Sequence, residues 1–307
     1  HSPPSPQAAD SFQEGCLVRI YFTQPGLSAA DPRHPAQVIA RYIKQTQHYL
    51  DICAHELDSQ IITEAILEAH KRGVRVRVVT ETAYAQESSI RALQAVGIPV
   101  IDDQRDGALM HNKFIVFDNQ AVWTGSMNFT DSCMSRNDNH GLYITDKRVA
   151  ENYATKFRWM FEEKKFGGTP AKEAKIPHPQ VKLEDGTVVE NYFAPHDRIA
   201  EKIIARIQQS QSSIHFLIFS FTHRGIVTAM LERAKNGVEV LGVFERRQAI
   251  AAHSMHQHLA SFGPPVRVYL DGNKYNMHHK LLIVDSKTTI AGSFNWSVSA
   301  DKDNDEN

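Results

Sequence analysis

The sequence predicts an α/β protein built as two homologous sandwich lobes, related by a pseudo-twofold axis and sharing one active site. Three observations carry that prediction. "MHNKFIVFDNQAVWTGSMNFT" at residues 110–130 returns as "MHHKLLIVDSKTTIAGSFNWS" at 277–297, with an offset of 167 residues. Upstream, "HYLDICAHELDSQIITEAILEAHKRGVRVRVVTET" (48–82) parallels "SSIHFLIFSFTHRGIVTAMLERAKNGVEVLGVFER" (212–246). Each of these longer stretches runs apolar segment, polar turn, helix-period segment, glycine, apolar segment, which is strand–helix–strand order.

The elements follow in chain order. "HSPPSPQAAD" is rich in Pro and Ser and lacks periodicity, so residues 1–14 read as a flexible leader. The chain opens on histidine rather than methionine, which fits a removed signal peptide or a trimmed chain and favours export, periplasmic or secreted, over the cytoplasm. The first lobe is expected over 15–166. Within it Ile62, Ala65, Ile66 and Ala69 recur at three- and four-residue steps, as Ile226, Met230, Leu231 and Ala234 do in the second copy. That spacing lays an apolar stripe along one face of a helix. Gly73 and Gly237 are placed to end these helices as C-terminal caps, and "VRVRVV" and "VEVLGVF" then read as strands. "GLYITD" and a helix near 147–164 complete the first copy. "EEKKFGGTPAKEAKIPHPQVKLEDG" (162–186) mixes Gly, Pro and charge, so a linker is expected over 167–186 and the second lobe over 187–307. The second copy reaches Asn307 where the strand matching "GLYITD" is due, so this lobe reads as shortened, or its last strand comes from elsewhere.

Composition narrows the function. At 307 residues and 42% hydrophobic, the chain holds enough apolar material for a buried core. A net charge of −1 argues against coating nucleic acid through a basic surface, while leaving room for a local positive cleft. No apolar run approaches the roughly 18 residues that span a bilayer, so no integral membrane association is expected. Cys16, Cys53 and Cys133 show no C-x-x-C spacing, which signals neither a disulfide framework nor a zinc site.

The repeated motif carries the chemistry. Side chains alternate along a strand, so His111 and Lys113 share a face, as do His278 and Lys280. Asp118 and Asp285 stand at strand ends before polar turns and are expected to fix those turns or a backbone group. Ser126 and Asn128 follow Gly125, and Ser293 and Asn295 follow Gly292, where glycine permits close backbone approach. If the halves face each other, two imidazoles and two ammonium groups converge. Such a site suits a phosphodiester: Lys113 and Lys280 neutralise its oxygens, helped by Ser126, Ser293, Asn128 and Asn295. One histidine attacks phosphorus; the other protonates the leaving alkoxide and later activates water. Neither a cofactor nor a metal is required by this scheme.

Written out, the motif is H-x-K-x4-D-x6-G-S-x-N, standing as His111, Lys113, Asp118, Gly125, Ser126, Asn128 and again as His278, Lys280, Asp285, Gly292, Ser293, Asn295. The pattern resembles the phospholipase D superfamily, and is most similar to its bacterial nuclease-type members. The resemblance implies a two-lobed fold, one shared site, a metal-independent phosphohistidine mechanism and phosphodiester substrates ranging from phospholipids to DNA. It also implies an acidic or amide residue beyond G-S-x-N that hydrogen-bonds the opposite half's histidine. Asn139 and Glu306 occupy equal offsets for that role. A glutamate makes an imidazole more basic than an amide does, which points to His111 with Glu306 as nucleophile and His278 as general acid and base. A monomer can then hold the complete site.

The substrate is argued from the surroundings. Arg105, Arg136, Lys274 and Tyr275 lie in polar stretches near the motifs, with Arg246 and Arg247 in "FERRQ", and cations beside a tyrosine suit a phosphate chain and a stacked base. Nucleic acid, DNA in preference and single-stranded or short, is therefore the expected partner. A phospholipase D or phosphatidyltransferase is the alternative, and a non-catalytic phosphate-binding module a third. His253, His256 and His258 are expected on a solvated helix face rather than as metal ligands, and His178 belongs to the linker.

Overall fold

The computed structural model describes residues 17–168 and 175–307. The leader expected over 1–14, Cys16, and residues 169–174 of the expected linker lie outside them.

The first lobe is built on seven strands: β1 (Val18–Phe22), β2 (Tyr49–Ala54), β3 (Arg75–Thr80), β4 (Val100–Asp102), β5 (Lys113–Phe117), β6 (Ala121–Gly125) and β7 (His140–Ile144), in the spatial order β1-β7-β6-β5-β2-β3-β4. β2, β3 and β4 run parallel, while β5 returns antiparallel to β2 with Ala54 opposite Lys113. Its helices are α1 (Pro35–Gln45), α2 (Gln60–Lys71), α3 (Ser88–Ala95), α4 (Asp131–Ser135) and α5 (Lys147–Phe161). Strand residues alternate between two cores. Leu50, Ile52, Ile115 and Trp123 pack with α1, α2 and α3, whereas Cys53, Val79, Phe114 and Val116 pack with α5. Burial on both faces makes this lobe a three-layer sandwich.

The apolar stripe read from the sequence faces this core: Ile62, Ala65, Ile66 and Ala69 are all fully buried. Gly73 has φ +92° and Gly237 φ +86°, the left-handed conformation that ends a helix without a Cβ clash.

The second lobe repeats the central unit. Following the hairpin strands β8 (Gln180–Lys182) and β9 (Val188–Glu190), the sheet comprises β10 (Ser213–Ile218), β11 (Glu239–Phe244), β12 (Val266–Leu270), β13 (Lys280–Val284) and β14 (Thr288–Ala291), ordered β12-β11-β10-β13-β14. Helices α6 (Ile199–Gln208), α7 (Arg224–Lys235), α8 (Arg246–Ala249), α9 (His256–Ala260) and α10 (Val298–Lys302) accompany it. Here β10 and β11 alternate strictly between buried and half-buried positions, so only one face carries a packed core.

Two features depart from the sequence reading. The hairpin falls across the stretch expected to be linker, and Val181, Leu183 and Phe193 pack with α5 of the first lobe. Gly, Pro and charge hid two short strands whose burial depends on a distant helix. His253 lies ahead of α9 rather than on it, and only His256 and His258 share the helix. Among the described residues no group of three or more His, Cys, Asp or Glu could hold a metal ion, and no helix is long and apolar enough to cross a membrane.

Candidate active site

Strand pairing delivers the two motif histidines to the boundary between the lobes. His111 and His278 each stand two residues before a strand-opening lysine, Lys113 of β5 and Lys280 of β13. In one half His55 N donates to Asn112 O at 3.2 Å, and in the other Phe219 N donates to His279 O at 2.8 Å, so the sheet register continues up to the motif histidines. At the far ends of β5 and β13 the motif aspartates hold the chain. Asp118 accepts from the backbone N–H groups of Gln47, His48 and Tyr49 at 2.8, 2.7 and 2.8 Å. Asp285 accepts from those of Gln211, Ser212 and Ser213 at 2.8, 2.8 and 2.9 Å, and these donors hold its carboxyl well below the usual range.

The halves then exchange partners. Met110 pairs with Asp305 and Met277 with Asp138 as isolated bridges, so His111 N donates to Asp305 O at 3.0 Å and His278 N to Asp138 O at 2.8 Å. The side chains cross in the same sense. His111 Nδ1 lies 2.7 Å from Glu306 Oε2, and His278 Nδ1 lies 2.9 Å from Asn139 Oδ1. With each oxygen accepting, Nδ1 carries the proton and Nε2 keeps its lone pair.

That crossed, duplicated geometry is accompanied by a family match. A profile described as "Cardiolipin synthase, PLD-like domain" matches residues 39–161 and 203–307. The chain belongs to the phospholipase D superfamily. This is a superfamily of phosphodiesterases, and its fold is shared by a phosphatidylserine synthase from Haemophilus influenzae, which superimposes with a TM-score of 0.71 at 14% identity, covering 94% of this chain and 80% of that one. A "Mitochondrial cardiolipin hydrolase" of Xenopus laevis is 34% identical over 135 residues, 42% of this chain and 64% of its own length. A "Phospholipase D" of Rickettsia felis is 32% identical over 124 residues, 40% of this chain and 62% of its own. The matched stretch thus spans less than two thirds of either relative.

Within the site, burial sets the charges. His111 and His278 are held well below the usual imidazole range by desolvation and by the Lys113 and Lys280 ammonium groups. Burial pushes Lys113 down to about 8 and Lys280 well below its ordinary value, with Lys113 adding to the latter. Glu306, fully buried, is pushed up to about 8 by the same desolvation, against the pull of Lys113 and the Ser293 hydroxyl. Lys113 Nζ and Lys280 Nζ donate to the carbonyls of His111 and His278 at 2.6 and 2.9 Å.

The motif serines are engaged differently from the sequence reading. Ser126 Oγ donates to Asn139 Oδ1 at 2.9 Å and accepts from His140 N at 3.0 Å. Ser293 Oγ donates to Glu306 Oε2 at 2.6 Å and accepts from Asn307 N at 3.0 Å. Their protons go to the groups behind the imidazoles, so they position rather than face a phosphate. Asn128 and Asn295 each keep a buried Oδ1 without a partner.

Of the cations expected to touch substrate, Arg105 is committed elsewhere. It bridges Asp103 Oδ2 at 2.8 Å and Asp305 Oδ2 at 2.7 Å. Arg246 is likewise tied to the Asp271 carbonyl, at 2.8 Å. Arg136 and Lys274 come together on Tyr275, 5.5 and 5.0 Å from its ring centroid, and both cations are exposed. Arg247 Nη2 braces the same loop through Lys274 O at 2.8 Å. His178 pairs with Glu151 at 3.0 Å, away from the site.

Sequence reasoning missed the residues that support the site. Lys156 on α5, 1% exposed in its side chain, reaches Asp305 Oδ1 at 2.6 Å. His140 and His279 meet Nδ1 to Nδ1 at 3.1 Å, each adjacent in sequence to a site residue. Glu56 accepts from Asn128 Nδ2 at 3.4 Å. Only the second histidine of "HHK" offered a signal in sequence.

Proposed function

We propose that this chain is a metal-independent phosphodiesterase that hydrolyses nucleic acid, DNA in preference, through a covalent phosphohistidine. The observation that carries the reading is the crossed pair, His111 on Glu306 and His278 on Asn139. His111 Nε2 attacks phosphorus as the P–O bond to the leaving alkoxide breaks, and His278 gives that oxygen its proton. The anionic diester offsets the two ammonium groups and draws His278 towards its protonated form. In the second step His278 takes a proton from water, whose oxygen displaces His111 and leaves a phosphomonoester. Lys113, Lys280, Asn128 and Asn295 stabilise the five-coordinate phosphorus. Ser126 and Ser293 hold Asn139 and Glu306.

Nucleic acid is favoured by Arg136, Lys274 and Tyr275, which gather on the loop leading into His278 and offer phosphate contacts beside a stacking ring. A second reading, phospholipid hydrolysis or head-group exchange, is favoured by the relatives' names, cardiolipin hydrolase and phospholipase D.

One experiment separates them. Fluorescent single- and double-stranded DNA, and in parallel cardiolipin and phosphatidylcholine vesicles, are incubated with the chain in excess EDTA. DNA cleavage is expected, with a loss of roughly a thousandfold or more in His111→Ala and His278→Ala. Lipid turnover with DNA intact replaces the nucleic-acid reading and keeps the mechanism. Silence on every substrate overturns catalysis and leaves a phosphate-binding module.

A further inference from the structure

Glu56 lies on the turn after β2, where its carbonyl accepts from Phe129 N at 3.2 Å. Its carboxylate faces the motif amide, Asn128 Nδ2, at 3.4 Å, and feels the Lys113 ammonium. At the matching place in the second lobe, the carbonyl that accepts from Trp296 N at 3.0 Å belongs to Ser220. One half of the site therefore sets a carboxylate beside its amide, and the other carries a serine at the matching chain position.

A fixed negative charge there opposes any anion held between Lys113 and Asn128, and the opposition doubles when the anion's charge doubles. A phosphodiester carries one charge across the working range, whereas a phosphomonoester gains a second above about pH 6. We infer that Glu56 is a specificity-determining residue that sets the charge selectivity of the site, admitting diester monoanions and expelling the monoester dianion that hydrolysis produces. The inference rests on the phosphodiesterase reading. Burial, with Glu87 and Asp58 nearby, lifts Glu56 to about 6 against the pull of Lys113, so the carboxylate is ionised at about pH 7.4. Tyr84, whose own proton is retained more tightly because of burial and then of Glu56 and Glu87, stays neutral there. His55, fully depressed by burial and Lys113, adds no charge.

The test is calorimetric titration of the full chain at about pH 7.4, where Lys113 keeps most of its charge, with inorganic phosphate, mostly a dianion, and with dimethyl phosphate, a monoanion. Glu56→Gln keeps the shape and an acceptor for Asn128. It is expected to tighten phosphate roughly tenfold and dimethyl phosphate roughly threefold. Ser220→Glu adds the charge in the other half and is expected to weaken the two anions in the same ratio. Equal shifts for the two anions, or no shift in either variant, overturns the assignment and leaves the phosphodiesterase reading intact. Failure of the unsubstituted chain and of Glu56→Gln to bind either anion overturns both.

Discussion

An imidazole attacks phosphorus only while its lone pair is free, so the charges around His111 and His278 decide where on the pH scale the site works. Burial first, and then the Lys113 and Lys280 ammonium groups, keep both rings neutral well into acid. Lys113 sets the opposite limit. Its ordinary value is lowered to about 8, so the ammonium is present below that pH and lost as pH rises through it. Phosphate neutralisation goes with it. We therefore expect kcat/KM to fall above about pH 8, and Lys113→Arg, which stays charged, to move that alkaline limb upward. A limb unmoved in the variant would show that the Lys113 ammonium does not set it. At this scale the sequence was informative where residues repeat: equal offsets singled out Asn139 and Glu306, and the structure sets them against His278 and His111. Glu56 stood in "HELD" without period or partner, and Ser220 in its place shows why the repeat could not flag it.

Strands hold the histidines in register, and the motif aspartates anchor the strands from the far end. Asp285 gathers three backbone N–H groups and the Ser212 hydroxyl. Replacing it with alanine removes all of these, and since water reaches the freed donors the expected cost is roughly 1–2 kcal/mol. Its folded-state titration is depressed, so this stability is present above the unfolded carboxyl value of about 4 and fades as pH falls below it. Urea unfolding should show the gap between Asp285→Ala and the unsubstituted chain at pH 7 and a narrowing gap below pH 4. Helices α2 and α7 were legible because a three- and four-residue apolar rhythm needs no tertiary partner to be seen. The β8–β9 hairpin was not, since three-residue strands carry too little pattern and Val181 gains its burial from α5.

Across the whole molecule, each lobe completes the other's histidine. The segment bearing Glu306 is fastened to the first lobe through Asp305, which is fully buried between Lys156 at 2.6 Å and Arg105 at 2.7 Å. Its counterpart Asp138 accepts from a neutral amide, Asn273 Nδ2 at 2.8 Å. Asp305→Asn is expected to lower kcat by roughly tenfold to a hundredfold with KM little changed, because it loosens the support of His111, the proposed nucleophile, rather than a substrate contact. Slower phosphoenzyme formation at His111 in single-turnover quench would show this, and Asp138→Asn should cost less. A KM effect of equal size would move Asp305 into the binding surface. Lys156 and Arg105 lie 149 and 200 residues from Asp305, so nothing local to any of the three announces the triad.

A symmetric dimer of identical chains must set the same side chain against both of its imidazoles. Here the exchange of Asp305 with Met110 and of Asp138 with Met277 is made within one polypeptide, and the two positions are free to differ. They do, as glutamate and asparagine, and so do Glu56 and Ser220. Within one chain the two half-sites are thus a left and a right, and a diester with two unlike ends is expected to bind in one preferred orientation.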